Sequence, residues 1–528
     1  MTRPSNNVPT AGPLKSFLGR LLPPLPLVFP CLVSGVLLTL CFPVASLGPV
    51  SFLALTPMFA AMLRYRPSRR EAYRAGFLTG FACYVSMLWW IVKLIPSADV
   101  TVPWLMTPAL IALVLYLSLY PAFHMLIVAA VSRWRLIPFL IAVPAAWALL
   151  EVARSRGELA FPWGLVGYSL SDHTAFLQTA DVWGVFGLSF LVVLVNVLAA
   201  GCVGARTPRA KAWCGLSAGL VAGAMWLHGD QRIDQVRSLH GPTLRVALAQ
   251  PNIDLAVKWK PEFKDSTFSI IQRQAVEAAE LGTDIIIFPE TAAPIYIENS
   301  PARKQRLIEL ARALETPVFI GFLDHRFDGP ANGLNIYNSS GLFRADGSIE
   351  KYDKRHLLPF GEALPLGSRY RWIQKINFGQ ANFQPGPRRS PLSQDGLSFT
   401  PLICFESVFP DLCREGVEEG SELFVNITND GWFGDTPGPH QHAQMAILRA
   451  VEFRRWLVRS ANSGVSMVVE PTGDVVASIG LYKEGILAHD VSLLSGRTFY
   501  ARTGDAPLIV GCALLLVVAW LFGRRAMA

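Results

Sequence analysis

The sequence predicts two fold classes in one chain, a multi-helix transmembrane bundle and a layered α/β domain. Three observations carry that prediction. Long apolar runs dominate the residues before Arg232, residues 232–505 read as an ordinary globular domain, and one more apolar run follows at about 507–523. Across 528 residues, 52% are hydrophobic and 16% charged, with a mean hydropathy of +0.36. That balance is too apolar for a soluble chain and too charged for one embedded throughout. The expected division is 1–231 as an N-terminal bundle of about seven helices, 232–505 as the polar α/β domain and 506–528 as a C-terminal spanning helix.

A spanning helix needs roughly 20 mostly apolar residues. Seven candidates precede the polar domain, at about 25–42, 49–64, 74–95, 103–131, 136–152, 176–203 and 211–229; the second, fifth and seventh are short. The first run lacks a small-residue cleavage site after it and reads as a retained helix. Arg3, Lys15 and Arg20 precede the first run; Arg64, Arg66, Arg69, Arg70 and Arg74 follow the second. Arg133 and Arg135 follow the fourth; Arg206, Arg209 and Lys211 follow the sixth; Arg524 and Arg525 follow the last. With eight spans all of these share one side, while the loops near 43–48 and 96–102 carry no Lys or Arg. Positive loops mark the cytoplasmic face. Both termini are therefore expected on the cytoplasmic side and the polar domain on the opposite side. The net charge of +8 is read as this topological signal and not as a nucleic-acid footprint.

Six of the eight cysteines (Cys31, Cys41, Cys83, Cys202, Cys214, Cys512) lie in or beside apolar runs, where a thiol behaves as a small hydrophobe. Cys404 and Cys413 lie in the polar domain, and no spacing suggests a disulfide framework or a zinc site. No metal or cofactor is expected, so side chains must carry any chemistry. The outward loop from Glu151 to Gly164 joins charges to an aromatic turn. It reads either as a membrane-interface belt or as an entrance shaped by Arg154 and Phe161-Pro162-Trp163.

In the polar domain, Thr243–Gln250 reads as a strand, 261–281 as a helix, 284–288 as a buried strand, 301–314 as a helix and 317–323 as a strand. Strand 399–404, helix 408–419, strand 423–428, a long helix near 440–457 and a hairpin over 464–478 follow. Buried strands alternating with helices indicate a layered α/β fold. Three strand-end clusters carry chemistry. Phe288-Pro-Glu-Thr-Ala292 presents Glu290, Tyr352-Asp-Lys-Arg-His-Leu-Leu-Pro-Phe-Gly-Glu362 presents Lys354 and Glu362, and Leu402-Ile-Cys-Phe-Glu406 presents Cys404 and Glu406. Singly, each reads as a cap, a surface turn or a core thiol. Together they supply a base, a cation and a nucleophile: a thiol attacks carbonyls only as the thiolate, Glu290 can move its proton and Lys354 can hold an oxyanion.

The order of these motifs, with Asn426-Ile-Thr-Asn-Asp-Gly-Trp-Phe-Gly434 and the Gly-Pro-His-Gln-His that ends at His442, resembles the nitrilase superfamily. With spanning helices before and after the domain, the whole chain resembles the bacterial apolipoprotein N-acyltransferase family. The resemblance implies an αββα sandwich and a Glu290–Lys354–Cys404 triad. It also implies a phospholipid acyl donor, a Cys404 thioester and a diacylated lipoprotein acceptor acylated at its N-terminal α-amine. Glu362 and Glu406 are expected as supporting carboxylates or structural ion pairs. Phe405 stands where the family often has Tyr, leaving only its backbone N–H as an oxyanion donor. Trp259, Trp432 and Phe433 are expected either to contact acyl chains or to pack locally. Residues 363–385, with Tyr370, Trp372, Ile373 and Phe378, read as a membrane-touching lid or an ordinary loop. Nothing resembles an assembly surface, so a monomer is expected. Two rivals remain: a membrane-tethered amidase using water as second nucleophile, and a non-enzymatic receptor or transporter.

Overall fold

The computed structural model describes residues 22–94, 106–327, 334–367, 370, 373, 381–387, 391–394 and 396–524. Trp372, Phe378, the 96–102 loop and the cations Arg3, Lys15, Arg20 and Arg525 lie outside these residues.

Five described helices are long and apolar enough to cross a membrane: Arg69–Lys93, Met106–Ser132, Leu136–Arg154, Ala180–Gly204 and Ala506–Arg524. They match five of the eight expected spans. Helix Leu25–Leu40 is apolar but only 16 residues long. The expected span at 49–64 is instead broken into Ser51–Ala54 and Thr56–Tyr65. Asn196 causes the break to hold: its amide accepts from Leu55 N at 2.8 Å and donates to Ser51 O at 2.7 Å, satisfying backbone groups that an interrupted helix would otherwise leave bare. The seventh run belongs to a 30-residue helix, Pro208–Arg237, that continues past the expected domain boundary at 232. Its polar last turns are tied down by Arg232 on Asp181 and Arg237 on Asp474, each at 3.0 Å.

The polar domain has two six-stranded sheets packed face to face. The first is built from β1 (Thr243–Gln250), β2 (Ile285–Ile287), β3 (Val318–Phe327), β4 (Leu334–Phe343), β5 (Ile349–Asp353) and, at the far edge, β12 (Gly485–Ser492), in the order β12-β1-β2-β3-β4-β5. The second holds β6 (Leu392–Gln394), β7 (Leu397–Ile403), β8 (Leu423–Thr428), β9 (Trp456–Ala461), β10 (Ser466–Val469) and β11 (Val475–Ile479), in the order β11-β10-β9-β8-β7-β6. Alternation builds the layers. Val246, Leu248, Ile285 and Ile287 face Ile403, Val425 and Val458 between the sheets. Ala247, Ala249, Ile286 and Phe288 face outward onto helices Lys264–Glu280 and Pro301–Leu314. The αββα sandwich expected from the motifs is the fold observed.

The opposite helix layer, Pro410–Glu418 and Pro437–Phe453, lies between the second sheet and the membrane bundle, and one apolar core runs through all three. The long helix expected at 440–457 stops at Phe453 because Arg454 takes a left-handed φ of 50°, which frees Trp456–Ala461 to pair as β9 between β8 and β10. Polar groups lock this layer to the bundle. Arg454 meets Asp181 at 2.9 Å and Gln178 at 2.7 Å. At Gly184, whose φ of 64° bends helix Ala180–Gly204, the Val185 N–H donates to Glu452 at 2.9 Å. A Cβ on Gly184 would stand 2.5 Å from the Tyr500 ring, so close approach as well as backbone angle demands glycine there.

Candidate active site

Parallel strands β2 and β7 end on the same side of the sandwich, and Glu290 and Cys404 follow them within a few residues. Cys404 opens a tight turn with a φ of 53°. A non-glycine residue there costs about 1–3 kcal/mol and persists only when its surroundings enforce it. Here they do. The Cys404 carbonyl accepts from Ser407 Oγ at 3.1 Å and Asn426 Nδ2 at 3.4 Å, and lies 3.2 Å from His442 Nε2. The sulfur is thereby presented at the strand end, half-buried.

Glu290 is buried, and both of its oxygens are held. Oε1 accepts from Asn338 Nδ2 at 2.7 Å and Oε2 from Asn429 N at 2.9 Å. Lys354 follows β5; its backbone N–H donates to Asn338 O at 2.8 Å, and its Nζ lies 2.8 Å from Glu362 and 3.8 Å from Glu290. Burial pushes the Glu290 carboxyl up, with the Lys354 ammonium opposing. Burial also pushes the Cys404 thiol up, reinforced by Glu290 and opposed by Lys354. Burial works against the Lys354 charge, yet Glu362, Cys404 and Glu290 outweigh it and raise its pKa. The resting site is thus a neutral thiol, a carboxyl made more basic than usual and a firmly held cation. Moving the thiol proton to Glu290 leaves a thiolate facing an ammonium, the pairing nucleophilic attack requires.

Two models of known families match the chain: "Apolipoprotein N-acyltransferase N-terminal domain" over residues 34–198 and "Carbon-nitrogen hydrolase" over residues 245–499. The protein named apolipoprotein N-acyltransferase in Geobacter metallireducens is 36% identical over 93% of this chain and 94% of its own. The chain belongs to the apolipoprotein N-acyltransferase family. Its namesake in Methylococcus capsulatus is 32% identical, over 94% of this chain and 96% of its own. The crystal structure of an amidase from Nesterenkonia sp. is 22% identical and covers 52% of this chain and 97% of that one, with a TM-score of 0.38.

Within this acyltransferase, the remaining expected residues fall into three groups. Glu362 touches Lys354 directly and also accepts from Asn338 at 3.0 Å. Glu406 does not touch Lys354. Its carboxylate accepts from Ile403 N, Arg355 N, His356 N and Tyr352 OH at 2.7–3.1 Å, clamping the lysine segment to the Cys404 turn. Phe405 is buried against Phe161 and Phe409. Phe433 and Trp163 form an aromatic floor with Trp90 and His442, in which Trp90 and Trp163 both donate to Gln441. Trp259 and Trp432 are half-buried.

Arg154 is placed differently from the expected entrance. It is buried, donating to Tyr84 OH at 2.8 Å and Trp163 O at 3.1 Å. The Glu151–Gly164 loop reaches open space through Gly157 and Glu158 instead. These line a cavity of about 680 Å³ that also borders Arg355, His356 and Phe409, beside the lysine segment.

Several residues escaped the sequence reading. Asn338 lies on β4, a strand whose mixed polar and apolar residues gave no clean pattern. Lys258 is fully buried and donates to Thr291 Oγ1 at 3.0 Å, with the Glu290 carbonyl at 3.5 Å; burial brings its pKa down to about 7 against the opposing pull of Glu290. Asp430, Arg459 and His442 form a buried network, with Asp430 2.7 Å from Arg459 and 2.9 Å from His442. Asp430 and His442 sit in motifs already quoted above, but nothing in those motifs told that they brace the Cys404 carbonyl.

Proposed function

We propose that this chain transfers a fatty acyl group from a membrane phospholipid to the N-terminal α-amine of a diacylated lipoprotein, through Cys404. The observation that carries this reading is the packing of a Cys–Glu–Lys site on a spanning bundle through a shared apolar core. Lipid substrates need a thiol held at the membrane surface, whereas a soluble amide would need no bundle.

In the first half-reaction Glu290 takes the Cys404 proton and the thiolate attacks the ester carbonyl. The oxyanion is held by the Lys354 ammonium and the Phe405 backbone N–H. Collapse expels the lysophospholipid alkoxide, which takes the proton from Glu290 and leaves a thioester. In the second, the neutral lipoprotein amine attacks that thioester, Glu290 accepts the amine proton and returns it to the departing Cys404 thiolate. Splitting the transfer gives ping-pong kinetics. Glu362 fixes Lys354, Asn338 aligns Glu290 with Glu362, and the cavity beside Arg355 and His356 admits the donor.

The bundle is read as lying in a bacterial inner membrane with the site on the periplasmic side. Supporting this, the basic segments around Arg64–Arg66 and Arg206–Lys211 converge at one end, while Trp90 at the end of helix Arg69–Leu88 reaches Gln441 beside the site. Intact mass of the purified chain after incubation with phospholipid tests the reaction. Wild type and Cys413→Ser should gain a fatty-acyl increment that neutral hydroxylamine or a diacylated lipopeptide removes. An increment that persists in Cys404→Ser rejects the nucleophile, and ammonia release from small amides without lipopeptide acylation supports the amidase instead.

A further inference from the structure

We propose that the end of the bundle remote from Cys404 carries a separate binding site for one anionic phospholipid. A groove of about 890 Å³ opens there between helices Leu25–Leu40, Thr56–Tyr65 and the start of Pro208–Arg237. Phe29, Val33, Ala60 and Val203 give it an apolar wall, and Arg64, Arg66, Arg206 and Lys211 rim it. All four cations are exposed, and among the described residues none forms an ion pair with a carboxylate. The sequence holds no Asp or Glu before Glu71, none in 205–211 and none in 133–135. Glu71 itself is engaged, accepting from Ser68 N at 2.8 Å as the cap of its own helix. Four cations without a counter-charge above an apolar slot match a phosphate headgroup with an attached acyl chain.

The groove lies where Leu25–Leu40 begins and Thr56–Tyr65 ends, so its apolar wall runs from the basic rim toward the membrane interior, the direction an acyl chain takes from its headgroup. The site is distinct from the donor site. Helix Arg69–Leu88 starts beside the groove and ends at the turn carrying Trp90, which bonds Gln441 near Cys404. Twenty residues of helix separate the two by roughly 30 Å. Residues 1–21 carry three cations and no carboxylate, so charge favours a lipid over the chain's own N-terminal segment as the occupant.

Native mass spectrometry of the full chain in detergent tests this with ether-linked phosphatidylglycerol, which has no acyl ester to transfer, and ether-linked phosphatidylcholine. Wild type should retain one phosphatidylglycerol with about thirtyfold preference over phosphatidylcholine, as about two effective cations would provide. Arg64→Gln/Arg66→Gln/Arg206→Gln/Lys211→Gln should lose that preference. Ala60→Trp, which fills the groove and leaves every cation in place, should lose it too. Arg69→Gln/Arg70→Gln, on the same face outside the lining, should keep it. Undiminished retention by Ala60→Trp, or equal loss in the Arg69/Arg70 control, would reveal diffuse attraction to a basic surface and overturn the site. Displacement by excess inorganic phosphate would reduce it to an oxyanion contact and overturn the lipid assignment. Retention that rises when residues 1–21 are removed would assign the groove to that segment. Thermal melts run alongside exclude misfolded samples, with Ala60→Trp deciding if the quadruple variant fails to fold. Lipid retention is read without turnover, so a failure of the Cys404 chemistry leaves this result standing.

Discussion

Lys354 Nζ stands 2.8 Å from Glu362 and 3.8 Å from Glu290, so the cation is bonded to the carboxylate proposed to support it and only near the one proposed to move protons. That asymmetry separates their roles. Glu290→Gln removes the proton acceptor and should slow thioester formation by about 10⁴-fold, the upper range for general acid–base catalysis. Glu362→Gln keeps the acceptor but releases Lys354 toward Glu290, and should cost only about 10²-fold. Single-turnover acylation followed by mass measures both. Equal losses would mean that the two carboxylates share one proton and that the division is wrong.

Glu406 offers a second test. Four donors converge on its buried carboxylate, three of them backbone N–H groups. Glu406→Ala leaves them bare and should destabilise the domain by about 3–5 kcal/mol, the range for breaking a buried charged network. Glu406→Gln, which retains one acceptor oxygen, should fall well short of that. Thermal unfolding followed by Cys413 or tryptophan reporters gives the ranking; a Gln variant as damaged as Ala would show that charge alone, and not the oxygen acceptors, holds the turn.

The legible and illegible parts of the sequence divide along physical lines. Strands β1 and β8 and helix Pro301–Leu314 appear where the apolar pattern places them, because burial on both faces or on one stripe writes itself into local sequence. The meeting of Glu290, Lys354 and Cys404 was legible because each follows a strand or sits in a long motif. Asn338 was not, since it acts across the sheet from Glu290, a contact 48 residues apart in the chain. Arg154 misled for a related reason. A charge beside an outward aromatic turn looks exposed, and only the neighbouring helix, through Tyr84 OH, reveals that it is buried and satisfied. The break at Leu55 likewise depends on Asn196, 141 residues away.

Lys258 makes a pH-dependent prediction. Burial lowers its pKa from the ordinary 10.5 to about 7. Below about pH 7 the lysine is charged in both folded and unfolded chains, and the folded state bears the full cost of burying that charge. Above it the folded chain releases the proton while the unfolded chain still holds it, so stability rises with pH from about 7 towards 10.5. The melting temperature of wild type relative to Lys258→Met should therefore climb between pH 7 and 9, each measured in the same detergent. A difference that stays flat over that interval would show that Lys258 remains charged beside Glu290.

The last prediction concerns how the sandwich is held on the bundle. Arg449 and Glu452 are fully buried and lie 3.1 Å apart, and Glu452 Oε1, which accepts from Arg449 at 3.2 Å, also accepts from Val185 N–H at the bend of helix Ala180–Gly204. Arg449→Met leaves a buried carboxylate without its cation, which costs about 3–5 kcal/mol. If the pair served only each other, Arg449→Met/Glu452→Met would restore most of that loss, as apolar replacement of buried ion pairs generally does. The Val185 contact changes the outcome. At Gly184 the helix is bent and Val185 N–H donates to Glu452, so removing Glu452 should leave that donor without this acceptor at a cost of about 1–3 kcal/mol. The double variant should therefore recover only in part, and Arg449→Met/Glu452→Gln, whose amide oxygen can still accept from Val185, should recover further. Full recovery by the Met/Met variant in thermal melts would mean that Glu452 holds its own helix and not the membrane bundle.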